Sequence, residues 1–300
     1  VTKKVEMTDG KNPVSGQARL VWAAGAELGE SATWDDRAER LWWVDIRGRR
    51  LHRMDEAGSD RRSWGLPQEP GCLALTDEPA GILLGLRTGV FSFAPETGRL
   101  ELLAVPEEHR ADHRLNDGKV DPSGRLWFGT MHVGERSAEG ALYVMDRSGR
   151  ALRVDAPYTV PNGPAFSADG RIMYCADSPA RTIYSFQLDD GIVQKREFVC
   201  FAEDEGYPDG MTVDAEGCLW VAHWGGGCVS RFAPDGQRLG RIQVPTEKVT
   251  SCAFGGADMR TLFITTGGGS GVPGEGIAGG IFAASTPVAG MPSERVRGQT

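Results

Sequence analysis

Apolar and polar positions along this chain recur as one phrase. A stretch of alternating apolar residues leads into Asp-x-x-Gly or a near relative, and then into Leu-Trp or an equivalent apolar pair. The clearest copies run from Asn116 to Trp127 and from Asp209 to Trp220. A third spans Asn162 to Tyr174, a fourth Glu30 to Trp43, and weaker ones Gly71 to Leu84 and Thr250 to Phe263. Their last residues, Trp43, Leu84, Trp127, Tyr174, Trp220 and Phe263, are spaced 41, 43, 47, 46 and 43 apart. Period-two alternation predicts strands, and the Asp, Gly and Pro clusters predict the turns between them. Each copy thus yields an inner strand, a turn, a second strand and a third, such as Ala141–Met145 or Cys228–Phe232. A fourth, outer strand is expected in most copies, for example Ile192–Phe201 and Arg238–Val244.

A repeat of about 40–45 residues built of short strands is the unit of a propeller. Six copies predict an all-β, six-bladed β-propeller. The last copy runs out after Pro287 in a tail of Gly, Pro and charged residues. Ala18–Trp22 precedes the first copy and has no blade of its own, so it is expected to supply the outer strand of blade six. That closes the ring and removes a free sheet edge. Residues 1 to about 15 are expected to be disordered, and 16–300 to form one domain.

Composition changes this picture little. The 300 residues are 40% apolar with 41 Gly and 17 Pro, as a turn-rich globular chain requires. A net charge of −8 without a basic patch argues against nucleic-acid binding. The six cysteines form no Cys-x-x-Cys pair, which disfavours a zinc ribbon or a redox motif. The basic start has no apolar core behind it, and no apolar run approaches the ~20 residues that cross a bilayer. The expectation is a soluble cytoplasmic protein with reduced thiols and no membrane partner.

Phase supplies the candidate chemistry. Four positions before the last apolar residue of each inner strand stand Glu30, Gly71, Asn116, Asn162, Asp209 and Thr250. In a propeller these lie nearest the axis, at one end of the channel. Four of the six are carboxylates or carboxamides, which when buried must be hydrated, hydrogen-bonded or bound to a cation. Oxygen donors without His or Cys suit a hard divalent ion: Ca²⁺, Mg²⁺ or Mn²⁺. The same residues would also serve as strand caps that hold channel water. Arg114 lies two residues before Asn116, so strand alternation sets both on one face. His132 and His223 each follow a second strand and are candidates to line the pocket, as is Trp224 beside the glycines 225–227.

Several segments carry a family resemblance: Gly29–Asp35 (GESATWD), Arg114–Asp121 (RLNDGKVD), Phe128–Met131 (FGTM), Pro161–Pro164 (PNGP) and Tyr207–Met211 (YPDGM). Together they resemble, in order and over roughly residues 20 to 285, the signature segments of the SMP-30/gluconolactonase/regucalcin family. Residues 125–132 and Trp224-Gly225-Gly226 look closest to its bacterial sugar-acid lactonases, the xylonolactonases among them. The resemblance implies one divalent metal held by Glu30, Asn162 and Asp209, with Arg114 and Asn116 at positions that contact substrate or its bridging water. Some members carry a substrate-contacting Glu shortly after Gly-Thr-Met. Here that stretch reads His132-Val133-Gly134-Glu135, so sugar specificity does not carry over.

The function expected is therefore metal-dependent hydrolysis of an aldonolactone (xylono-, arabinono-, glucono- or galactono-) to its acid. Ca²⁺, Zn²⁺, Mn²⁺, Mg²⁺ or Fe²⁺ could serve. Asp209 is the candidate general base as well as a ligand, although a neighbouring metal would weaken it as a base. Two alternatives are a phosphotriesterase-like hydrolase on a similar floor and a non-catalytic calcium-binding propeller.

Overall fold

Six small sheets follow one another around a ring in the computed structural model, which describes residues 14–297 apart from 79, 80, 147, 190 and 273. Residues 29–65, 70–104, 113–158, 161–200 and 207–243 make blades one to five, each of four antiparallel strands. Blade six takes three strands from 249–285, and its outer strand is Arg19–Trp22, paired antiparallel with Ile281–Ser285. The ring is thus closed from the N-terminal side, as the unplaced apolar segment implied. There is no α-helix among the described residues, and no helix long and apolar enough to cross a membrane.

The structure adds two pairings. Val14–Gln17 lies parallel to Arg238–Gln243 on the outer edge of blade five. Disorder therefore does not extend to residue 15, because Val14 and Ser15 belong to this strand; residues 1–13 lie outside those described. Two features hold the strand: the buried Val14 side chain joins the apolar cluster between blades five and six, and Gly240 lets the backbones meet. A Cβ at Gly240 would stand 1.8 Å from the Val14 carbonyl oxygen. The tail beyond Pro287 is also placed. Ala215 N–H donates to Ala289 O, and Arg295–Val296 pairs parallel with Leu75–Thr76 of blade two. Arg295 reaches Asp35 and Asp36 in blade one, and Arg297 Nη2 donates to Pro122 O in blade three. Between these anchors, Met291–Glu294 lie across the C-terminal ends of the inner strands, near Thr33, Leu75, Val120 and Phe254.

The core is divided into wedges. Buried apolar side chains form six clusters, one between each pair of neighbouring blades. Trp34 of blade one stacks on Phe263 of blade six at 5.4 Å, and Trp220 of blade five meets Phe254 of blade six edge-on. The recurring phrase acquires a physical reason in blades three and five. Asp121 Oδ1 accepts the N–H groups of Ser123 and Arg125, which folds the turn, while Oδ2 accepts Trp127 Nε1 at 2.8 Å. Asp214 does the same for Glu216, Cys218 and Trp220. The following Gly124 and Gly217 take φ of 83° and 75°, a region open mainly to glycine.

His52 titrates with this core. Its ring stacks on Trp43 at 4.0 Å and meets Trp22 edge-on, and burial pushes its pKa from 6.5 down to about 3, helped by nearby Arg50. The unfolded chain accordingly binds a proton that the folded chain refuses. This contribution to stability is complete above pH 6.5 and is lost as the pH falls towards 3. Unfolding free energies from urea titrations at pH 7 and 4.5 are expected to differ by about 3 kcal/mol less for His52→Phe than for the wild type.

Candidate active site

Each inner strand breaks its ladder at the same place. The register with the second strand slips between Glu30 and Thr33, Leu115 and Gly118, Asn162 and Ala165, and Pro208 and Met211, with equivalent slips in blades two and six. A bulge frees a residue from the pleat and re-aims its side chain. Ser31 (φ 53°) and Gly163 (φ 84°), directly after Glu30 and Asn162, take the left-handed backbone that completes the turn.

The result is a cup whose buried floor is Glu30, Asn116, Asn162 and Asp209. Arg114, Arg47, Glu135, Tyr207, Ser178 and Trp224 rise around it, together with apolar Leu28, Ile46 and Val160. The two remaining axial positions seal the wall. A Cβ on Gly71 would stand 2.3 Å from Leu115 O, so a side chain is excluded there. Thr250 donates its hydroxyl to Gly29 O and faces Thr265.

The floor is tied together across blades. Arg114 Nη1 donates to Asn116 Oδ1 at 2.6 Å, and Asn116 Nδ2 donates to Asn162 Oδ1 at 2.9 Å. Asp177, at the end of the second strand of blade four, accepts the N–H groups of Thr159 and Val160 and so holds the start of the strand carrying Asn162. Beneath the cup, Asp117 accepts Gly118 N–H and, from blade four, Gly163 N–H at 3.0 Å. Lys119 Nζ donates to Met211 O of blade five. These two residues join inner strands rather than face the cup.

Charge on the floor is poorly compensated. Burial first, then the Asp209 and Asp117 carboxylates, raise the Glu30 pKa well above the usual carboxylate range, against the pull of Ser31 N–H and Arg114. Asp209 is likewise raised, by burial and then by Asp117. Asp117 is raised to about 6, again chiefly by burial. Arg114, its own pKa lowered by burial, is the cation that draws Glu30 and Asp209 down, while Lys119 does so for Asp117. Glu30 and Asp209, two buried carboxyl groups facing one buried guanidinium, are what a divalent cation would satisfy. Among the described residues no trio of His, Cys, Asp or Glu is close enough to hold a metal alone. The donor set available is instead Glu30 and Asp209 with the carboxamide oxygen of Asn162, and its chemistry fits a hard ion.

Of the residues singled out from sequence, Glu30, Arg114, Asn116, Asn162, Asp209 and Trp224 come together in the cup. His132 does not line it. Its Nδ1 accepts Gly134 N–H at 2.9 Å and its Nε2 lies 3.4 Å from Asp112, because the residue pairs with His113 at the outer end of its strand. His223 is fully buried, stacked on Phe201 and donating from Nδ1 to Glu205 O; burial pushes its pKa down to about 4. Arg47, Glu135 and Ser178 escaped the phase argument, which covered inner strands only; Tyr207 lies on an inner strand, two residues before Asp209 as Arg114 lies before Asn116, and was passed over. A signal for two of them exists: four positions after the second-strand landmarks Trp43, Tyr174 and Trp220 stand Arg47, Ser178 and Trp224.

Fold and cup define a six-bladed propeller with an oxygen-donor site at one mouth of its channel. The chain belongs to the SMP-30/gluconolactonase/LRE-like family, whose sequence profile matches residues 28–268. It is 39% identical over 282 residues to the pentonolactonase XacC of Haloferax volcanii, covering 89% of this chain and 94% of that protein. It is 36% identical over 293 residues to the L-arabinolactonase of Azospirillum brasilense, covering 95% and 97%. Among solved structures it is similar to a calcium-binding protein, regucalcin, of Agrobacterium tumefaciens, with a TM-score of 0.88 and 29% identity over 96% of this chain and 99% of that one.

Proposed function

We propose that this protein hydrolyses a sugar lactone to the corresponding aldonic acid, with one divalent cation held by Glu30, Asn162 and Asp209. The observation that carries the reading is the convergence of two buried carboxylates and a carboxamide beside Arg114, in a cup with a polar rim. The lactonase relatives support the substrate class. The relative described as calcium-binding supports the cation. When bound, such an ion polarises the lactone carbonyl and stabilises the negative charge that attack by water places on its oxygen.

The chain's own residues do the rest. Arg114 directs its remaining N–H groups to the substrate's oxygens, and Glu135 and Tyr207 on the rim offer hydrogen bonds to sugar hydroxyls. Trp224 covers the C–H face of the ring and excludes water. Asp209 Oδ1 accepts Gly210 N–H, which leaves Oδ2 to take the proton of the attacking water. As the ring C–O bond opens, that proton passes to the departing ring oxygen. The product is a hydroxy acid with its carboxylate. The several hydrogen-bonding side chains set among the apolar ones of the rim (Arg47, Glu135 and Tyr207 beside Leu28, Ile46 and Val160) suit sugar hydroxyls better than a phosphotriester. The six cysteines form no disulfide and five of them are buried, which suits the reducing cytoplasm proposed as its location.

The test is acid release, followed with a pH indicator, from xylono-, arabinono-, glucono- and galactonolactone after subtraction of spontaneous hydrolysis. The metal-free protein is expected to be inactive after chelation, and added Ca²⁺, Mg²⁺, Mn²⁺, Zn²⁺ or Fe²⁺ to restore turnover on at least one lactone. Folded protein that accelerates none of them with any ion would overturn the reading.

A further inference from the structure

A run of polar groups crosses blades three, four and five along the floor of the cup. It starts at Arg114 Nη1, 2.6 Å from Asn116 Oδ1, and passes from Asn116 Nδ2 to Asn162 Oδ1 at 2.9 Å. It continues from Asn162 Nδ2 to Ser178 Oγ at 2.8 Å, and from Ser178 Oγ to the carbonyl oxygen of Pro208 at 2.6 Å. Asn116, Asn162 and Ser178 are all buried.

The two ends of the run can each play only one role. A guanidinium only donates, and a backbone carbonyl only accepts. Ser178 has a single proton, and once that proton faces Pro208 O the hydroxyl can only accept from Asn162. Both carboxamides are then left with one permitted orientation. Were Asn162 turned over, its NH₂ would oppose the NH₂ of Asn116. Its oxygen would meet either a lone pair on Ser178 or a proton withdrawn from Pro208 O. Each unpaired buried group of this kind carries its full desolvation penalty, which the observed orientation avoids. Asn162 Oδ1, having accepted one hydrogen bond from Asn116, keeps a second lone pair for a cation. The Pro208 carbonyl, next to Asp209, thereby fixes the direction of the hydroxyl proton.

We propose that Ser178 is a positioning residue for the cation: by donating to Pro208 O and accepting from Asn162 Nδ2, it keeps Asn162 Oδ1, the uncharged oxygen of the donor set, turned towards the ion. This rests on the cation site proposed above. Partners that orient a ligand in this way typically change metal affinity 10–100-fold when removed.

The test is Mn²⁺ binding to the whole chain, measured by isothermal titration calorimetry and electron paramagnetic resonance, in the wild type, Ser178→Ala, Asn162→Asp and the double variant. Ser178→Ala is expected to weaken Mn²⁺ about 10–100-fold, and Ser178→Thr, which keeps the hydroxyl, to stay near wild type. In the Asn162→Asp background the same change is expected to cost less than about threefold, because a carboxylate presents oxygen whichever way it turns. Ser178→Cys, similar in shape and a weak donor, carries the same comparison should the Ala variant fail to fold. Equal losses in both backgrounds would assign Ser178 to packing and overturn the proposal, as would no loss in either. Absence of Mn²⁺ binding in the wild type would instead remove the cation site itself, and this inference with it.

Discussion

Asp209→Ala is expected to lower kcat/KM on the responsive lactone by at least about 10³-fold while leaving the fold intact. Loss of a positioned base alone is worth about 10²–10⁴-fold, and the substitution also removes one of the two charged donors proposed for the cation. Stability should move the other way. Asp209 is buried beside Glu30 and Asp117; its charge hinders the ionisation of Glu30, and Asp117 hinders its own. Removing one relieves that repulsion, so the metal-free variant is expected to melt no lower than metal-free wild type. Asp209→Asn separates the two roles. It keeps an oxygen donor and should retain weakened metal binding, but it cannot take the proton from water and should stay inactive. Initial rates and thermal melts of both variants check this, and wild-type rates in Asp209→Ala would sink the assignment of this residue.

The second large effect concerns stability. Asp214→Ala is expected to destabilise the protein by about 3–5 kcal/mol, the usual consequence of removing one member of a buried ion pair. Arg231 is wholly buried, with Nε 2.8 Å from Asp214 and Nη2 2.7 Å from Glu216. Without Asp214 the guanidinium keeps its charge and loses its buried counter-ion. Trp220 Nε1 and two turn N–H groups lose their acceptor together. Asp214→Asn keeps part of the turn and should lose less. Urea titration followed by tryptophan fluorescence reads both. A loss below about 1 kcal/mol for Asp214→Ala would show that the pair barely repays its own desolvation.

The site was most legible where geometry repeats. Glu30, Asn116, Asn162 and Asp209 could be found because equivalent positions in a propeller meet at one axis, and buried polar side chains there stand out against Gly71 and Thr250. Glu135 could not be found in that way. It sits in the loop after the second strand of blade three, where no periodicity applies, and takes φ of 54°. His132 was misplaced for a related reason: the end of a strand is where twist decides which way a side chain points, and pattern alone does not encode it. The closing strand Arg19–Trp22 was legible from its apolar residues. Val14–Gln17 and Arg295–Val296 were not, since each is short, mostly polar and held by an edge it borrows from another blade.

Blade six joins residues 19–22 to residues 249–285, so its sheet is assembled from segments far apart along the chain. A nascent chain stopped before residue 281 has no partner for its early strand. Pairings of such long sequence separation form late in folding. The clasp is thus the place where the ring is open to failure: loss of the Arg19–Trp22 pairing would loosen the apolar seam between blades six and one, next to the strand that carries Glu30.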